Sequence, residues 1–394
     1  MKLCLFAIAA VCAAQPVVIR TGTLIDGKGG VQRNVNVVVE GSKIVRVDPG
    51  GHGRASYDLS SMTLMPGWID THVHPSWHFK NDRLVEGEES LDQQMLYTAA
   101  NAQATLRAGF TTVQSVGARI DKPLRDVINS GVIEGPRILT SIYQINENSG
   151  SPEQIRQIVR KGKQEGADLV KIFATKSIRE GGGISMTLDQ IAAACGEAKA
   201  QGLRAVVHAH ASDGAQAVIR AGCTGIEHGT FLDNATLDLM KERGIYFDPN
   251  FLVLHNYLDN KPKFLGIGNY NEEGFAYMEK GLPMVADVIR RARAKGVMIV
   301  LGTDAVAGSH GRNYEEFVYR VKDGGEKPMD VLMSGTSVAA ASLGLGNVIG
   351  TVAPGFEADL VAIQGNPLDD ITAVRHAAFV MKGGKLVRYD PVRK

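Results

Sequence analysis

The middle of the chain alternates short apolar runs with longer segments of helical periodicity. Uninterrupted apolar runs indicate strands that are covered on both faces, which is typical of parallel sheets in α/β proteins. The number of such runs favours a closed (β/α)8 barrel over an open sheet. The predicted barrel strands are residues 64–74, 111–117, 137–142, 169–173, 205–210, 225–229, 246–251 and 298–304. One connecting helix has clear boundaries, because Thr187 and Gln190 are spaced as a capping box and Gly202 is placed as a terminator.

Both ends of the chain have a different character, with short β-branched runs between glycine turns. Runs at residues 17–19, 35–39 and 43–47 precede the barrel, and similar runs at 358–363 and 379–387 follow it. A barrel takes about 250 residues, so a chain of 394 residues leaves enough for a second, smaller domain. We therefore predict a barrel over residues 66–350 and a composite β-sandwich domain built from residues 15–65 and 351–394.

The first 14 residues resemble a short secretory signal peptide. One lysine precedes an apolar run, and the small residues Cys12, Ala13 and Ala14 follow it. This pattern predicts cleavage after Ala14 and a periplasmic or secreted protein. The alternative is an ordinary apolar N-terminal strand in a cytoplasmic protein.

Removal of this leader leaves two cysteines, Cys195 and Cys223, which lie in stretches that look helical. Two cysteines at this separation do not imply a disulfide framework. We predict that both are small core residues.

Composition argues against two classes of partner. The formal net charge is +1, which gives no excess of basic groups for phosphate backbones. Beyond the leader no apolar run approaches the ~20 residues that a membrane-spanning helix needs. We therefore expect no nucleic-acid partner and no membrane span, and a small molecule or peptide as the ligand.

Residues that can carry chemistry stand where the predicted strands stop. His72 and His74 end the first strand, His208 ends the fifth, His228 the sixth and Asp304 the eighth. In a (β/α)8 barrel the active site is built at these carboxyl ends. His72 and His74 alternate along a strand, so they face the same side. Imidazole and carboxylate groups that share one axis suit a first-row metal such as zinc.

Lys171 stands inside the apolar fourth strand, where an ammonium group is costly to bury without a partner. One explanation is that carbon dioxide carboxylates the amine, which converts a cation into an anionic ligand. The other is that Lys171 forms a salt bridge with a residue of a neighbouring strand.

The ordered set of these motifs resembles the amidohydrolase superfamily, in its binuclear subtype with a carboxylated lysine on strand four. The motifs that carry the resemblance are residues 66–74, Lys171, His208, residues 226–229 and residues 301–304. It implies two divalent metal ions, most often zinc, and a homo-oligomer. In the implied ligand set His72, His74 and Asp304 bind the more buried ion, His208 and His228 bind the more exposed ion, and the carbamate of Lys171 bridges them. His210 stays outside this set, and Asp70 orients a ligand.

The resemblance also implies a mechanism. A water bridging two cations loses a proton near neutral pH and becomes a nucleophile. Asp304 acts as the general base and then returns the proton to the leaving nitrogen as the general acid. The expected reaction is hydrolysis without a redox cofactor.

Residues 171–179 and 302–313 are similar to the branch of prolidase-like dipeptidases and carboxypeptidases and of ochratoxin-hydrolysing amidases. This similarity implies cleavage of an amide bond in a dipeptide or N-acyl amino acid with a free C-terminal carboxylate. Arginine suits bidentate capture of a carboxylate. The candidates for holding the substrate are Tyr143, His255, His310 and Arg312.

Three other functions remain open from the sequence. An imidazolonepropionase-like or other cyclic amidase would use the same metals on a substrate without an α-carboxylate. A phosphotriesterase would also use these ions. A non-catalytic metal- or solute-binding envelope protein is disfavoured, because the ligand set and the base Asp304 are all present.

Overall fold

The computed structural model describes residues 15–85 and 89–390, so the predicted signal peptide lies outside the described residues. The fold is mixed α/β, with sheets of parallel strands and a separate β-rich part. In the described ranges no helix combines the length and the apolar character that a membrane span requires.

Eighteen strands and twelve α-helices are found in these ranges. The strands are β1 Val17–Ile25, β2 Val31–Glu40, β3 Lys43–Pro49, β4 Tyr57–Pro66, β5 Trp68–Val73, β6 Phe79–Lys80, β7 Arg83–Leu84, β8 Phe110–Ser115, β9 Arg137–Thr140, β10 Gln144–Ile145, β11 Leu169–Phe173, β12 Arg204–Ala211, β13 Gly225–Phe231, β14 Tyr246–Asp248, β15 Met298–Ile299, β16 Leu360–Gln364, β17 Ala377–Lys382 and β18 Lys385–Tyr389. The helices are α1 Leu91–Arg107, α2 Asp121–Asn129, α3 Pro152–Glu165, α4 Leu188–Ala200, α5 Ser212–Arg220, α6 Asn234–Arg243, α7 Phe251–Asp259, α8 Lys261–Phe264, α9 Glu272–Lys295, α10 Glu315–Lys322, α11 Pro328–Ser334 and α12 Ser337–Ser342. Two short 3-10 helices span Ile178–Glu180 and Ile371–Arg375.

The two ends of the chain meet in one seven-stranded sheet with the order β18-β17-β16-β4-β1-β2-β3. The central strand β4 runs parallel to β1 and antiparallel to β16. Its core is aliphatic and aromatic, with Ile19, Leu64 and Phe379 fully buried. The sheet therefore needs residues from both ends of the chain to bury its apolar side chains.

The parallel strands form two further sheets, β5-β8-β9 and β10-β11-β12-β13-β14-β15. Backbone hydrogen bonds join these sheets at both sides. Thr71 N donates to Leu301 O over 2.9 Å and His74 N to Ala305 O over 2.8 Å, so β5 lies beside the segment that follows β15. On the other side Asp168 N donates to Thr140 O over 2.9 Å. The carboxyl ends of the parallel strands are thus brought to one side of the molecule.

The prediction of one continuous strand over residues 64–74 was wrong. The chain passes from β4 in the terminal sheet to β5 in the parallel sheet, and the two strands are separated at Gly67. A side chain at Gly67 would place its Cβ only 2.3 Å from Thr111 Oγ1. Glycine is therefore required because the backbone approaches β8 more closely than a Cβ allows.

The predicted strand over residues 246–251 is also shorter, since β14 ends at Asp248 and helix α7 begins at Phe251. Asn250 between them adopts a left-handed backbone with φ of 52°. The apolar run continues through this boundary, so its composition did not reveal the change from strand to helix.

The predicted capping box on α4 is confirmed. Gln190 N donates to Thr187 Oγ1 over 3.2 Å, and Thr187 N donates to Gln190 Oε1 over 3.0 Å. Two of the unpaired groups at the helix N-terminus are satisfied in this way. Gly202, with φ of 65°, follows the last helical turn as predicted.

The prediction that Cys195 and Cys223 are unpaired core residues was wrong. They form a disulfide with a Cα–Cα distance of 5.1 Å. Cys195 lies in α4, and Cys223 lies in the turn after α5 rather than in a helix. Both are buried, as predicted. The spacing of 28 residues gave no signal, because only the packing of α4 against α5 brings the two thiols together.

Replacement of both cysteines by alanine should lower the free energy of unfolding by about 3 to 4 kcal/mol. The cross-link closes a loop with a sequence separation of 28, and its loss frees the unfolded chain. The measurement is the melting temperature under non-reducing conditions, with reductant added to both proteins as the control. Alkylation of Cys195 and Cys223 in the denatured, unreduced wild-type protein, located by peptide mass spectrometry, would contradict the disulfide.

Candidate active site

Five histidines and one aspartate converge at the carboxyl ends of the parallel strands. The first group has ligand atoms within 4.8 Å of one another and can hold a metal ion: His72, His74 and Asp304. A second group with the same property is His208, His210 and His228. Asp304 Oδ1 lies 3.1 Å from His74 Nε2 and 3.3 Å from His72 Nε2. The structure thus brings together all five of these predicted ligands, and it adds His210.

Electrostatics indicate what this cluster binds. Burial lowers the pKa of His208 and of His228 well below the usual range, so both rings are neutral at pH 7. Burial alone would raise the pKa of Asp304, but the charges and hydrogen bonds of His72 and His74 bring it well below its usual value. Neutral imidazole nitrogens and an ionised carboxylate offer lone pairs that are not protonated. This donor set fits a divalent cation.

Lys171 and Glu227 lie beneath the histidines. Lys171 is fully buried, and its Nζ donates to Glu227 Oε2 and lies 3.5 Å from His72 Nε2. Glu227 Oε1 is 3.2 Å from His72 Nδ1, yet neither atom has a hydrogen-bond partner. The amine of Lys171 therefore reaches the cluster, and the unmodified amine pairs with a residue of strand β13, two strands away.

Three residues around the cluster have left-handed backbones, which non-glycine residues rarely adopt. They are His228, Asn250 and Asp304, with φ of 67°, 52° and 51°. Asn250 Oδ1 accepts a hydrogen bond from His228 N over 3.2 Å, and Asn250 Nδ2 donates to Asp248 Oδ1 over 3.0 Å. Such conformations persist where surrounding contacts determine them, and they concentrate at functional sites.

The cluster forms the floor of a cavity of about 300 Å³. Asp304 is the one carboxylate among the described residues that line it. Arg179 and Lys171 are its cationic residues. Its larger apolar side chains are Trp77, Phe173, Ile178, Val253, Leu254, Tyr257, Val285 and Val306.

Comparison with known proteins agrees with this geometry. The amidohydrolase family model matches residues 63–387, which is most of the chain. The chain belongs to the amidohydrolase family. This membership makes it a hydrolase of amide bonds, and divalent metals are general in the family. The predicted superfamily is therefore confirmed.

Individual relatives of this amidohydrolase fall in the predicted branch. Ochratoxinase from Aspergillus niger is 25% identical and aligns with 97% of this chain and 88% of its own length. A solved Xaa-Pro dipeptidase with methionine in its active site is 31% identical, with a TM-score of 0.87 over 94% of this chain and 99% of that one. A solved prolidase complexed with N-methylphosphonate-L-proline is 26% identical, with a TM-score of 0.86 over 95% and 100%.

Two of the four predicted substrate-binding residues of this amidohydrolase, Tyr143 and His255, contact other protein side chains and do not line the cavity. Tyr143 Oη donates to Glu165 Oε2 over 2.5 Å. The His255 ring stacks on Tyr319 with centroids 3.7 Å apart. Neither side chain lines the cavity.

The other two predicted residues lie on the segment after β15 and are also outside the lining. Arg312 Nη2 donates to Glu315 Oε2 over 2.7 Å, which occupies its guanidinium. Burial lowers the pKa of His310 to about 4, so the ring is neutral at pH 7. Its Nε2 donates to the carbonyl oxygen of Trp77 over 3.1 Å. His310 therefore contacts a residue of the cavity wall.

Arg179 is the cavity residue that sequence reasoning missed. Its Nε donates to Asn269 Oδ1 over 2.7 Å, and its guanidinium lies over the rings of Tyr270 at 4.0 Å and Tyr257 at 5.3 Å. No hydrogen bond joins its two terminal nitrogens to another described residue. It closes residues 171–179, the segment that carried part of the resemblance, but the sequence does not show that the loop turns back over the cavity.

Helix α7 forms one wall, and its N-terminus is held by a carboxylate from another helix. Phe251 N and Leu252 N donate to Glu316 of α10 over 3.1 and 2.6 Å. Asn250 does not cap these groups because its side chain binds strand ends instead. Burial raises the pKa of Glu316 to about 7, although Arg320 and the two backbone donors oppose this shift.

Replacement of Glu316 by glutamine should remove a pH dependence of stability. Because the pKa rises from 4.5 to about 7 on folding, the folded protein binds more protons in this window, and stability falls as the pH rises through it. The loss reaches about 3 kcal/mol above pH 7. The measurement compares melting temperatures at pH 5 and pH 8, with exposed Glu242→Gln as the control. The same pH dependence in Glu316→Gln and wild type would show that Glu316 is ionised without penalty.

Proposed function

We propose that this amidohydrolase cleaves the amide bond of dipeptides or N-acyl amino acids that carry a free C-terminal carboxylate. The observation that carries the proposal is an arginine that has no carboxylate partner among the described residues, in the same cavity as a cluster of metal-ligand type. Arg179 replaces Arg312 as the candidate for binding the carboxylate, because Arg312 is paired with Glu315 outside the cavity.

Arg179 suits a carboxylate for three reasons. Its Nε is fixed by Asn269, so the plane of the guanidinium is oriented before a ligand arrives. Tyr257 and Tyr270 pack against it and exclude water from its faces. Its terminal nitrogens, which bond to no other described residue, can then form two parallel hydrogen bonds with one carboxylate.

The relatives support a carboxylate-bearing substrate. The ligands named in the two solved peptidase structures are methionine and N-methylphosphonate-L-proline, and each has a free carboxylate. A cyclic amide without an α-carboxylate would leave Arg179 unpaired in a partly buried site, which is unfavourable. The proposal therefore favours peptidase-type substrates over cyclic amides that carry no carboxylate.

We further propose two zinc ions and a carbamate on Lys171. His72, His74 and Asp304 would hold one ion, His208 and His228 the other, with the carboxylated Lys171 between them. Bound ions would lower the pKa of a water and polarise the substrate carbonyl. The position of Lys171 Nζ beside His72 supports its role as a shared ligand. Its unmodified amine would instead add positive charge to the site.

Asp304 is the candidate general base and acid. Its carboxylate lies in the cavity, and its pKa is held well below the usual value, so it is ionised and can accept a proton at neutral pH. The same oxygen can return the proton to the leaving nitrogen when the amide bond breaks. Contacts of 3.3 and 3.1 Å with His72 Nε2 and His74 Nε2 hold its carboxylate beside the two rings.

The predictions of a closed barrel and of an exported protein also belong to this proposal. The hydrogen bonds that join the parallel sheets at both sides support a closed (β/α)8 barrel with the site at its mouth. The Cys195–Cys223 disulfide supports export, since such bonds form and persist in oxidising compartments. Homo-oligomerisation stays a prediction.

Arg179→Met should lower kcat/KM for dipeptides by about 100-fold or more, because charge-assisted hydrogen bonds worth about 3 kcal/mol are lost. The same variant should have a much smaller effect on dipeptide amides, which lack the carboxylate. Arg312→Met is the matched control, and we expect it to stay within about threefold of wild type. A larger loss in Arg312→Met than in Arg179→Met would return carboxylate binding to Arg312.

Lys171→Gln should lose most of the bound metal and about 1,000-fold in kcat, because the shared anionic ligand is gone. Metal content is measured by elemental analysis, and the carbamate by carbon-13 NMR after equilibration with labelled bicarbonate. Exposed Lys176→Gln in the next loop is the control and should retain both signals. A Lys171→Gln protein with two ions and full turnover would eliminate the carbamate.

A further inference from the structure

We infer that Trp77 makes this enzyme selective for substrates with a large apolar side chain, and that Asn101 and His310 position Trp77 for this role. The inference rests on the proposed function and adds the chemical class of the substrate side chain.

The indole of Trp77 stands next to the reacting centre. Its ring centroid lies 5.8 Å from that of His74, with the planes inclined by 43°. The lining also contains aliphatic side chains, among them Val253, Leu254 and Val306, together with polar residues such as Gln144 and Thr230. A substrate whose amide reaches the histidines therefore places its neighbouring side chain against an apolar surface.

The charges of the cavity sharpen this selectivity. Asp304 is the one acid in the described lining, and it is engaged with His72 and His74. A lysine or arginine side chain of a substrate would be buried without an anionic partner, which is unfavourable. A substrate with glycine at this position has no side chain and would make no contact with Trp77. We therefore expect leucine-like and phenylalanine-like side chains to be preferred over glycine and lysine by about 10- to 100-fold.

The position of Trp77 is determined by its backbone. Trp77 N donates to His74 O over 3.1 Å, which folds the chain sharply after β5. Its carbonyl oxygen accepts from Asn101 Nδ2 and from His310 Nε2, each over 3.1 Å. Asn101 also donates to Pro75 O over 2.8 Å. Since a carbonyl only accepts, Nε2 of His310 carries the hydrogen.

These two donors come from different parts of the fold. Asn101 lies on α1, and His310 lies in the segment that follows β15. Two separate elements therefore hold one carbonyl group, and the indole is directed toward the cavity as a consequence. His310 acts on the substrate through Trp77 and is a positioning residue.

The first experiment uses the metal-loaded full-length enzyme and two series of dipeptides. One series varies the N-terminal residue and the other the C-terminal residue, each through Gly, Leu, Phe and Lys. In wild type one position should show the apolar preference. Trp77→Ala should lower the Leu-to-Gly ratio of kcat/KM at that position by about 10-fold or more, and Trp77→Phe should retain most of it. Exposed Leu96→Ala on α1 is the control and should keep the wild-type ratio.

The positioning role has its own test. His310→Gln keeps an N–H donor and should preserve the ratio, whereas His310→Ala should lower it with metal content unchanged. An equal loss of turnover on all substrates in both His310 variants would mean a structural role only, and would overturn the positioning argument.

A second measurement does not depend on turnover. The chain has two tryptophans, and the other, Trp68, is fully buried against Phe110 and Phe317. Free L-leucine should change the fluorescence of wild type and not that of Trp77→Phe, while L-lysine should have no effect on either. If wild type hydrolyses neither dipeptides nor N-acyl amino acids, the proposed function fails and this inference fails with it. If wild type hydrolyses dipeptides but Trp77→Ala keeps the wild-type ratio, or L-leucine acts equally on both proteins, the function stands and the selectivity inference alone is overturned.

Discussion

The buried carboxylate of Asp70 joins the first parallel strand to the last, and the geometry of the site depends on this connection. Asp70 accepts hydrogen bonds from Thr303 N and Oγ1 over 3.0 and 2.6 Å and from Asn313 Nδ2 over 2.7 Å. Burial raises its pKa to about 6, although each of these donors lowers it. His72 and His74 follow Asp70 at the end of β5, and Asp304 follows Thr303 in the segment after β15. Their mutual distances are therefore set by a hydrogen-bond network below the cavity.

The cavity above this network contains two cationic side chains, Lys171 and Arg179, in different surroundings. Lys171 is fully buried on the floor and pairs with Glu227. Arg179 is at the wall, and in the described part of the chain its terminal nitrogens have no hydrogen-bond partner. Only the second cation is placed to bind an anionic group of a ligand without disturbing a protein ion pair. The apolar side chains of the lining, such as Phe173 and Ile178, lower the local polarity, which strengthens hydrogen bonds made there. Amide cleavage and recognition of a terminal carboxylate are compatible in one site for this reason.

The sequence predicted the floor of the site much better than its walls. Ligand positions follow from strand periodicity, because alternate residues on a strand face the same side and strand ends meet at one edge. His72, His74 and His208 could be found this way. The walls come from loops whose course depends on long-range contacts. Arg179 and Arg312 both lie in loops that follow predicted strands, and packing against Tyr257 and Tyr270 distinguishes the first.

Dependence on long-range contacts also limited the prediction of the fold. The alternation of strands and helices was evident, but the break at Gly67 depends on Thr111, which is remote in sequence. The Cys195–Cys223 disulfide required knowledge of how two helices pack. His210 was set aside on resemblance alone, and its ring is in fact stacked on His228 with centroids 4.9 Å apart.

The position of β4 has a consequence for synthesis of the protein. This strand leads directly into β5 and His72, and it is hydrogen-bonded along one side to β16, which lies near the other end of the chain. Gly67 N, at the junction, donates to Asp359 O over 2.7 Å. A ribosome makes the first ligand strand early and the strand that pins it late, so the nascent chain carries an unpaired β4 edge during most of translation. Such edges are prone to association, and the site is completed only after β16 emerges.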